Sequence, residues 1–288
     1  MRAHQIAIAT CSQHPRLIAD DLALVASLRE FGIDSEPVVW NADEEVEWAE
    51  LDGCLLRSVW DYHLRRADFL AWTEAVAATV PLWNPPATLR WNTTKGYLRE
   101  LAAAGVPTIP TAWLGRGEAV RLDRLLAERG WREAVLKPSV DLGAERLVRV
   151  RRGEGQALLD SLLAEHDVLA QPFMASVERH GEVSLVFFDG ELSHTVRKLP
   201  RHGDFRVQST WGGTAAAVAP TAAQRQVADR ALGEIAEELL YARVDLIEGA
   251  GGEPLLTELE LVEPNLYLST DRSAANRLAA AISRRLRG

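Results

Sequence analysis

The chain has 288 residues, 47% apolar and 25% charged, a balance that excludes a disordered or fibrous polypeptide and leaves room for more than one domain. Its 32 basic side chains against 41 acidic ones give a formal charge of −9. That acidity excludes the broad basic footprint of a nucleic-acid binder, so neither nucleic acid nor a membrane surface is an expected partner.

The basic residues divide into 29 Arg and only 3 Lys: Lys95, Lys137 and Lys198. A guanidinium does not freely replace a compact ammonium that meets phosphate as a point charge, so the few lysines are the first positions to place. No apolar run reaches bilayer length, and Met1-Arg2-Ala3-His4-Gln5 enters a strand-like segment without a signal-peptide h-region, so the expected location is the cytoplasm. Cys11 and Cys54 lie in or beside apolar runs and read as small core residues, since a lone pair supports neither a disulfide framework nor a zinc site.

Residues 1–85 alternate short apolar runs (Ile6–Thr10, Pro37–Trp40, Cys54–Val59, Leu82–Asn84) with amphipathic stretches (Arg16–Phe31, Asp68–Val80), the pattern of a small α/β domain with a largely parallel sheet. Asn84-Pro85-Pro86 is a rigid break. In the connecting segment, 86–105, Thr93 or Thr94 is expected to cap a helix running to Ala104, with Lys95 in its first turn. There a cation is disfavoured by the macrodipole, a cost that a surface tolerates and that phosphate binding would explain. Residues 106–170 read as strand, helix, strand, strand, helix, strand, a compact α+β insert. Residues 171–288 hold a hairpin, Glu182–Phe188 and Glu191–Lys198, closed by Asp189-Gly190. A long helix expected over Ala222–Leu240 separates it from a second hairpin.

That second hairpin, Tyr241–Ile247 with Leu255–Val262, carries the strongest local signal. If its Gly-rich turn closes symmetrically, Asp245 faces Glu258 and Arg243 faces Glu260. Carboxylates opposed across a ladder repel unless a cation intervenes, which suits a hard divalent ion; a solvated face on which Arg243 offsets the acids is the alternative. Lys137 ends the strand Ala134-Val135-Leu136 and precedes the small-residue loop Ser139–Ala144, whose N–H groups could approach an anion, although a solvated edge lysine would look the same. Lys198 ends a strand beside Arg197, where simple exposure is the plain reading. Among the chemistry motifs sought, neither G-x-G-x-x-G, nor Gly-Lys-Ser/Thr, nor G-x-S-x-G occurs.

Taken in order over about 85–270, these pieces resemble the ATP-grasp superfamily of carboxylate–amine ligases, with a glutathione-synthetase-like ATP-binding fold. The resemblance implies a mixed α/β (α+β) architecture: a pre-ATP-grasp domain, a small lid and a C-terminal antiparallel catalytic subdomain. It implies ATP and Mg²⁺, or Mn²⁺, as cofactors. Lys95 and Lys137 match the phosphate-binding lysines, and Ser139–Gly143 the loop that closes over the phosphates. Gln171-Pro172-Phe173-Met174 matches the hinge that reads adenine, and Glu182, ahead of Glu178, the ribose-binding acid. Asp245, Glu258 and Glu260 match the metal positions, the last being commonly Asn in the family. Lys198, Arg206 and Arg243 match cations near the reacting centre, and Gly212-Gly213 a Gly-rich loop beside it. Within the superfamily, Arg57–Tyr62, Trp83-Asn84-Pro85, Arg90-Trp91-Asn92 and Glu258–Pro264 are most similar to the cycloserine-forming cyclo-ligase group acting on O-ureido-D-serine, in natural-product biosynthesis. The implied reaction makes an acyl phosphate of a small amino-acid-like substrate and then an amide-type C–N bond, by cyclisation or between two molecules. A non-catalytic Mg-ATP or amino-acid sensor with the same fold is the alternative. Arg57 and Asp61 could hold a substrate's carboxylate and ammonium, and a surface ion pair would have the same spacing. A homodimer is compatible with the sequence.

Overall fold

The computed structural model describes residues 3–43 and 45–287; Met1 and Arg2 of the N-terminal run lie outside the described residues. In the first section β1 (His4–Thr10), α1 (Ala19–Glu30), β2 (Ile33–Val39), β3 (Gly53–Leu56), α2 (Arg66–Ala77) and β4 (Leu82–Trp83) form an all-parallel sheet in the order β2-β1-β3-β4. Alternation sorts its side chains: Ile6, Ile8 and Leu55 pack with Leu24 and Leu28 of α1, whereas Ala7, Ala9, Cys54 and Leu56 pack with Phe69, Leu70 and Val76 of α2. Both cysteines are free and buried, as the sequence suggests.

The connecting segment departs from the single expected helix. α3 (Pro86–Asn92) starts with Pro at its first position, where no N–H is missed, and α4 (Tyr97–Ala103) follows after a break. Thr93 ends α3 as its C-cap and caps no helix N-terminus: its hydroxyl donates to the Arg90 carbonyl at 3.0 Å and accepts from Arg66 Nε at 2.8 Å. Lys95 therefore lies in the turn between the helices, where its N–H donates to the Ser139 carbonyl at 2.7 Å, and the expected macrodipole cost does not arise.

In the insert β5 (Ala112–Leu114), α5 (Leu122–Arg129), β6 (Glu133–Pro138), β7 (Val148–Arg151), α6 (Gln156–Glu165) and β8 (Val168–Pro172) appear in the expected sequence and make an antiparallel sheet, β5-β8-β6-β7. Ala134 and Leu136 pack on Leu126 and Leu159 of the two helices, so Val135 and Lys137 face the other way, into a cavity. Since β6 is flanked on both sides, Lys137 is no edge residue.

The third section begins with α7 (Ser176–His180), β9 (Glu182–Phe188), β10 (Glu191–Leu199) and β11 (Thr214–Ala217), then α8 (Ala222–Gly233), β12 (Tyr241–Glu248), β13 (Pro254–Glu260) and α9 (Ala274–Arg287). Its sheet is antiparallel, β11-β10-β9-β12-β13. Asp189 and Gly190 both take positive φ, 54° and 81°, the requirement of a type I′ turn. α8 stops at Gly233, well before the expected Leu240, whose N–H instead donates to Asn84 Oδ1 at 2.9 Å. One face of this sheet, through Leu185, Phe187, Val244 and Leu259, packs on Val227, Ala228 and Ala231 of α8. α9 turns back onto the first section, where Leu278 and Ile282 are fully buried beside Leu24 and Leu28, each contributing about 1.5–3 kcal/mol.

Candidate active site

A cavity of about 640 Å³ opens where the three sections meet. Its charged floor is the face of the third sheet opposite α8. The expected register holds: Asp245 pairs with Glu258 and Arg243 with Glu260, with a bulge just beyond Asp245. On the other side of β12, Ser184 stands opposite Asp245 and donates to its Oδ1 at 2.6 Å, while Glu182 on β9 faces Lys198 on β10. Gly181 permits that last pairing, since at its φ of +71° a Cβ would lie 2.0 Å from the Lys198 carbonyl oxygen.

Asp245 is the hub of this face. It is 1% exposed and accepts from Arg243 Nε at 3.0 Å, Arg243 Nη2 at 2.8 Å and Lys198 Nζ at 3.0 Å. Burial alone would push its pKa up, but Arg243 and Lys198 outweigh it and hold the carboxyl below the usual range. Lys198 is the reverse of the exposed strand-end residue: it is 2% exposed and also pairs with Glu182. Arg243 completes a chain of charges by reaching Glu260 and, at 3.0 Å, the Asn265 carbonyl. Glu182 and Glu260 are each pushed up to about 7, chiefly by burial; Lys198 opposes the shift at the first and Arg243 at the second, and neighbouring carboxylates reinforce both.

The other two lysines differ sharply. Lys95 Nζ lies 3.0 Å from Glu258 Oε1 and donates to the Asp141 carbonyl at 3.0 Å; burial disfavours its charge, yet Glu258 more than offsets this and raises its pKa. Lys137 is 7% exposed, its ammonium makes no ion pair or hydrogen bond among the described residues, and burial pulls its pKa down. It is a cation left unmatched on the cavity wall.

Ser139 and Gly143 line the cavity beside it, and the Gly143 carbonyl accepts from Trp211 Nε1 at 2.9 Å. In the segment expected as the hinge, Gln171 Nε2 donates to Thr111 Oγ1 at 2.9 Å and the Phe173 N–H donates to the Glu133 carbonyl, while the Met174 N–H has no partner among the described residues. Phe173 and Met174 belong to an apolar patch with Ile109, Val177 and Ile247. Glu178 is held outside by Arg149 at 2.9 Å, which leaves Glu182 as the acid on the cavity.

Four expected residues are placed differently. Arg57 does not reach the cavity: it is 1% exposed and donates from Nε to Asp21 Oδ1 at 2.9 Å, a buried pair in place of a surface one. Asp61 does line the cavity, but its oxygens accept from Trp40 Nε1 at 2.6 Å and Asn41 Nδ2 at 3.2 Å. Gly212 and Gly213 lie off the wall and shape the loop that brings Ser209 and Thr210 to it; a Cβ on Gly213 would come within 2.1 Å of the Val207 carbonyl oxygen. Arg206 lines the wall, braced by Asp204 at 2.8 Å and lying 3.5 Å above the Trp211 ring centre. Three residues without a sequence-derived role also contribute. Asn92 clamps β13, donating to the Leu259 carbonyl and accepting from the Leu261 N–H. Asn84 donates to the carbonyls of Tyr241 and Leu261. Glu263, just past β13, is a buried cavity residue.

A family model for the ATP-grasp domain of prokaryotic glutathione synthetase matches residues 108–268. The chain belongs to the ATP-grasp family. A second model, for the N-terminal domain of D-cycloserine synthetase DcsG, matches residues 6–84 of this ATP-grasp chain. It is 36% identical to the cycloserine biosynthesis protein DcsG of Streptomyces lavendulae, over 92% of this chain and 93% of that protein. It is 29% identical to a glutathione synthetase of Parasynechococcus marenigrum (strain WH8102), over 74% of this chain and 67% of that one. Among solved structures, D-cycloserine synthetase DcsG superposes with a TM-score of 0.87 at 33% identity, covering 98% of this chain and 99% of that one. The D-alanine–D-alanine ligase of Bacillus anthracis complexed with ATP shares the fold, with a TM-score of 0.69 at 15% identity over 99% of both chains. This ATP-grasp chain is an ATP-dependent carbon–nitrogen ligase. No helix of the described residues is long and apolar enough to cross a membrane.

The carboxylates fit a hard divalent ion. Oxygens of Asp245, Glu258 and Glu260 lie within 4.8 Å of one another, and burial, reinforced by the two neighbouring carboxylates, pushes the pKa of Glu260 up to about 7, a conflict that a bound dication relieves. Glu258 and Glu260 face the cavity, whereas Asp245 is covered by Lys198 and Arg243 and would have to exchange those partners to become a ligand.

Proposed function

We propose that this ligase activates the carboxylate of a small amino-acid-like substrate as an acyl phosphate and closes a C–N bond within the same molecule, O-ureido-D-serine being the candidate substrate and a cycloserine ring the candidate product. The observation that carries this reading is the 36% identity to DcsG over 92% of the chain, which includes the N-terminal domain contributing Trp60 and Asp61 to the cavity wall.

In this reading adenine lies against the apolar patch of Phe173, Met174 and Ile247, and the free Met174 N–H serves as its donor. Glu182 faces the ribose. Lys95 and Lys137 take the phosphates, the second by virtue of its unmatched charge, with the Ser139–Gly143 loop closing over them. A divalent ion held by Glu258, Glu260 and Asp245, Mg²⁺ above all, would neutralise charge on the phosphates. A substrate carboxylate oxygen attacks the γ-phosphorus as ADP leaves; the ureido nitrogen bonded to oxygen then attacks the acyl carbon, losing its proton as phosphate departs, and the ring so formed still carries the carbamoyl group, which water removes to give cycloserine. Arg243, Arg206 and Lys198 stabilise the anionic tetrahedral species, and Lys198 and Arg243 hold their orientation through Asp245. Holding both reacting groups in one molecule supplies much of the rate, and no protein nucleophile is needed.

The test is ADP release with O-ureido-D-serine alone, with amino acids singly and with amino acids in pairs, and mass spectrometry of the product. Turnover with one compound alone supports cyclisation, and a strict need for two assigns intermolecular ligation. Mg-ATP binding without ADP release on any combination would make the protein a sensor.

A further inference from the structure

The cavity holds two ionisable groups that the protein itself leaves unpaired. One is Lys137. The other is Glu263, which is 7% exposed, lines the cavity and receives no hydrogen bond or ion pair on its carboxylate among the described residues. The two do not neutralise each other, since neither is among the charges that most perturb the other. A carboxylate taken out of water without a partner is costly, and such a group either stays protonated or awaits a cation. Burial, reinforced by Glu260, holds the Glu263 carboxyl well above its ordinary range in the protein alone.

The remaining cations nearby are committed: Lys95 to Glu258, Lys198 to Glu182 and Asp245, Arg243 to Asp245 and Glu260, and Arg206 to Asp204. Glu263 is also outside the cluster of three carboxylates whose oxygens converge. Its backbone is fixed from two sides: Trp60 Nε1 donates to the Glu263 carbonyl at 3.1 Å, and the Tyr241 hydroxyl donates to the Val262 carbonyl at 2.8 Å. The backbone that carries this carboxylate is therefore fixed at a wall that the N-terminal domain helps to form, and a cation to pair with it would come with a ligand. Asp61 is poorly suited to that task, because two side-chain N–H donors already occupy its oxygens.

We propose that Glu263 binds the α-ammonium group of the substrate and so makes this ligase select amino acids over the corresponding unsubstituted acids. The proposal rests on the ligase reading above. Ammonium binding ionises Glu263 and neutralises it in the same step.

The experiment is titration calorimetry of the protein loaded with Mg²⁺ and a non-hydrolysable ATP analogue. The probes are O-ureido-D-serine and the same molecule with hydrogen in place of the α-amino group. The wild-type protein should prefer the amino compound by at least about 100-fold, the scale of a buried charge pair broken on one side. Glu263→Gln should erase that preference by weakening the amino compound alone, with binding of the ATP analogue unchanged as the measure of an intact fold. If that variant does not bind the analogue, Glu263→Asp replaces it and should weaken the amino compound selectively. A preference retained in the variant overturns the proposal. If the wild type binds neither probe, the substrate reading fails by itself, and Glu263 is judged on D-serine, D-alanine and the twenty L-amino acids with the same proteins. Glu263-dependent binding of any of these sustains the ammonium site; binding of none, or binding indifferent to Glu263, overturns it.

Discussion

Lys95 holds Glu258 at 3.0 Å, so a cation expected at phosphate already neutralises a carboxylate expected at metal. Lys137 has no such partner. The two lysines should therefore respond differently to removal. Lys95→Met leaves Glu258 without its main counter-charge and should cost about 1–3 kcal/mol of stability. Lys137→Met removes a charge that burial disfavours and should leave stability equal or higher, yet lower ADP release by at least about 100-fold through lost stabilisation of transferring charge. Urea denaturation and an ADP assay on both variants check the contrast; near wild-type turnover in Lys137→Met would remove this lysine from the phosphate site.

Lys198 gives the opposite prediction. It is the shared partner of Glu182 and Asp245 at 2% exposure, so Lys198→Met strands the buried Glu182, leaves Asp245 to Arg243 alone and should cost about 3–5 kcal/mol. Adding Glu182→Gln removes the stranded carboxylate, so the double variant should recover part of the loss. A double-mutant cycle from thermal or urea unfolding measures the coupling, and strict additivity would mean that Lys198 and Glu182 do not share the interaction that their geometry implies.

Much of the sheet architecture was legible because alternation and turn chemistry are local. The pairing of Asp245 with Glu258 was expected from a symmetric hairpin and is reached through a one-residue bulge beyond Asp245, and Asp189-Gly190 announced its own turn. What stayed hidden depends on distant partners. Arg57 looks like a carboxylate clamp at a strand end, but Asp21, on the helix between the first two strands, fills it, and no spacing rule links a helix residue to the end of a strand 36 positions later. The break between α3 and α4 was missed because Thr93 and Thr94 read as caps, whereas Thr93 is taken by Arg66 from another helix. Glu263 was legible as part of the Glu258–Pro264 resemblance but had no role of its own, since only the folded cavity shows that it lacks a partner.

The buried Arg57–Asp21 pair predicts a structural phenotype. Ser58 also donates to Asp21, and the Arg57 guanidinium lies 5.9 Å from the Tyr241 ring centre, so the pair bridges the N-terminal domain to the catalytic sheet. Arg57→Met should cost about 3–5 kcal/mol by leaving Asp21 buried without its cation, while the affinity for Mg-ATP changes little. Calorimetric nucleotide binding alongside the unfolding curve separates the two effects; weakened nucleotide binding at unchanged stability would contradict the assignment.

Glu260 predicts how the metal-free protein responds to pH. Its carboxyl is pushed up to about 7 from an ordinary value of 4.5, because burial and the nearby Asp245 and Glu258 outweigh the attraction of Arg243. A folded pKa above the unfolded one means that the folded state binds this proton more tightly. The stabilising contribution is complete below about 4.5 and is lost as pH rises to about 7. Asp245 and Glu258, both lowered, contribute in the opposite sense, gaining stability as pH rises from below their ordinary values, so the Glu260 part must be isolated by difference. In a chelator, the wild type should lose stability between pH 5 and pH 7 relative to Glu260→Gln, which carries no such proton. Mg²⁺ reverses the trend, because the ion competes with the proton: its affinity should rise with pH through about 7 and its binding should release protons, an effect absent from Glu260→Gln. Thermal unfolding against pH, with calorimetry of Mg²⁺ binding in buffers of different ionisation enthalpy, measures both; parallel stability curves for the two proteins would show that Glu260 titrates normally in the fold.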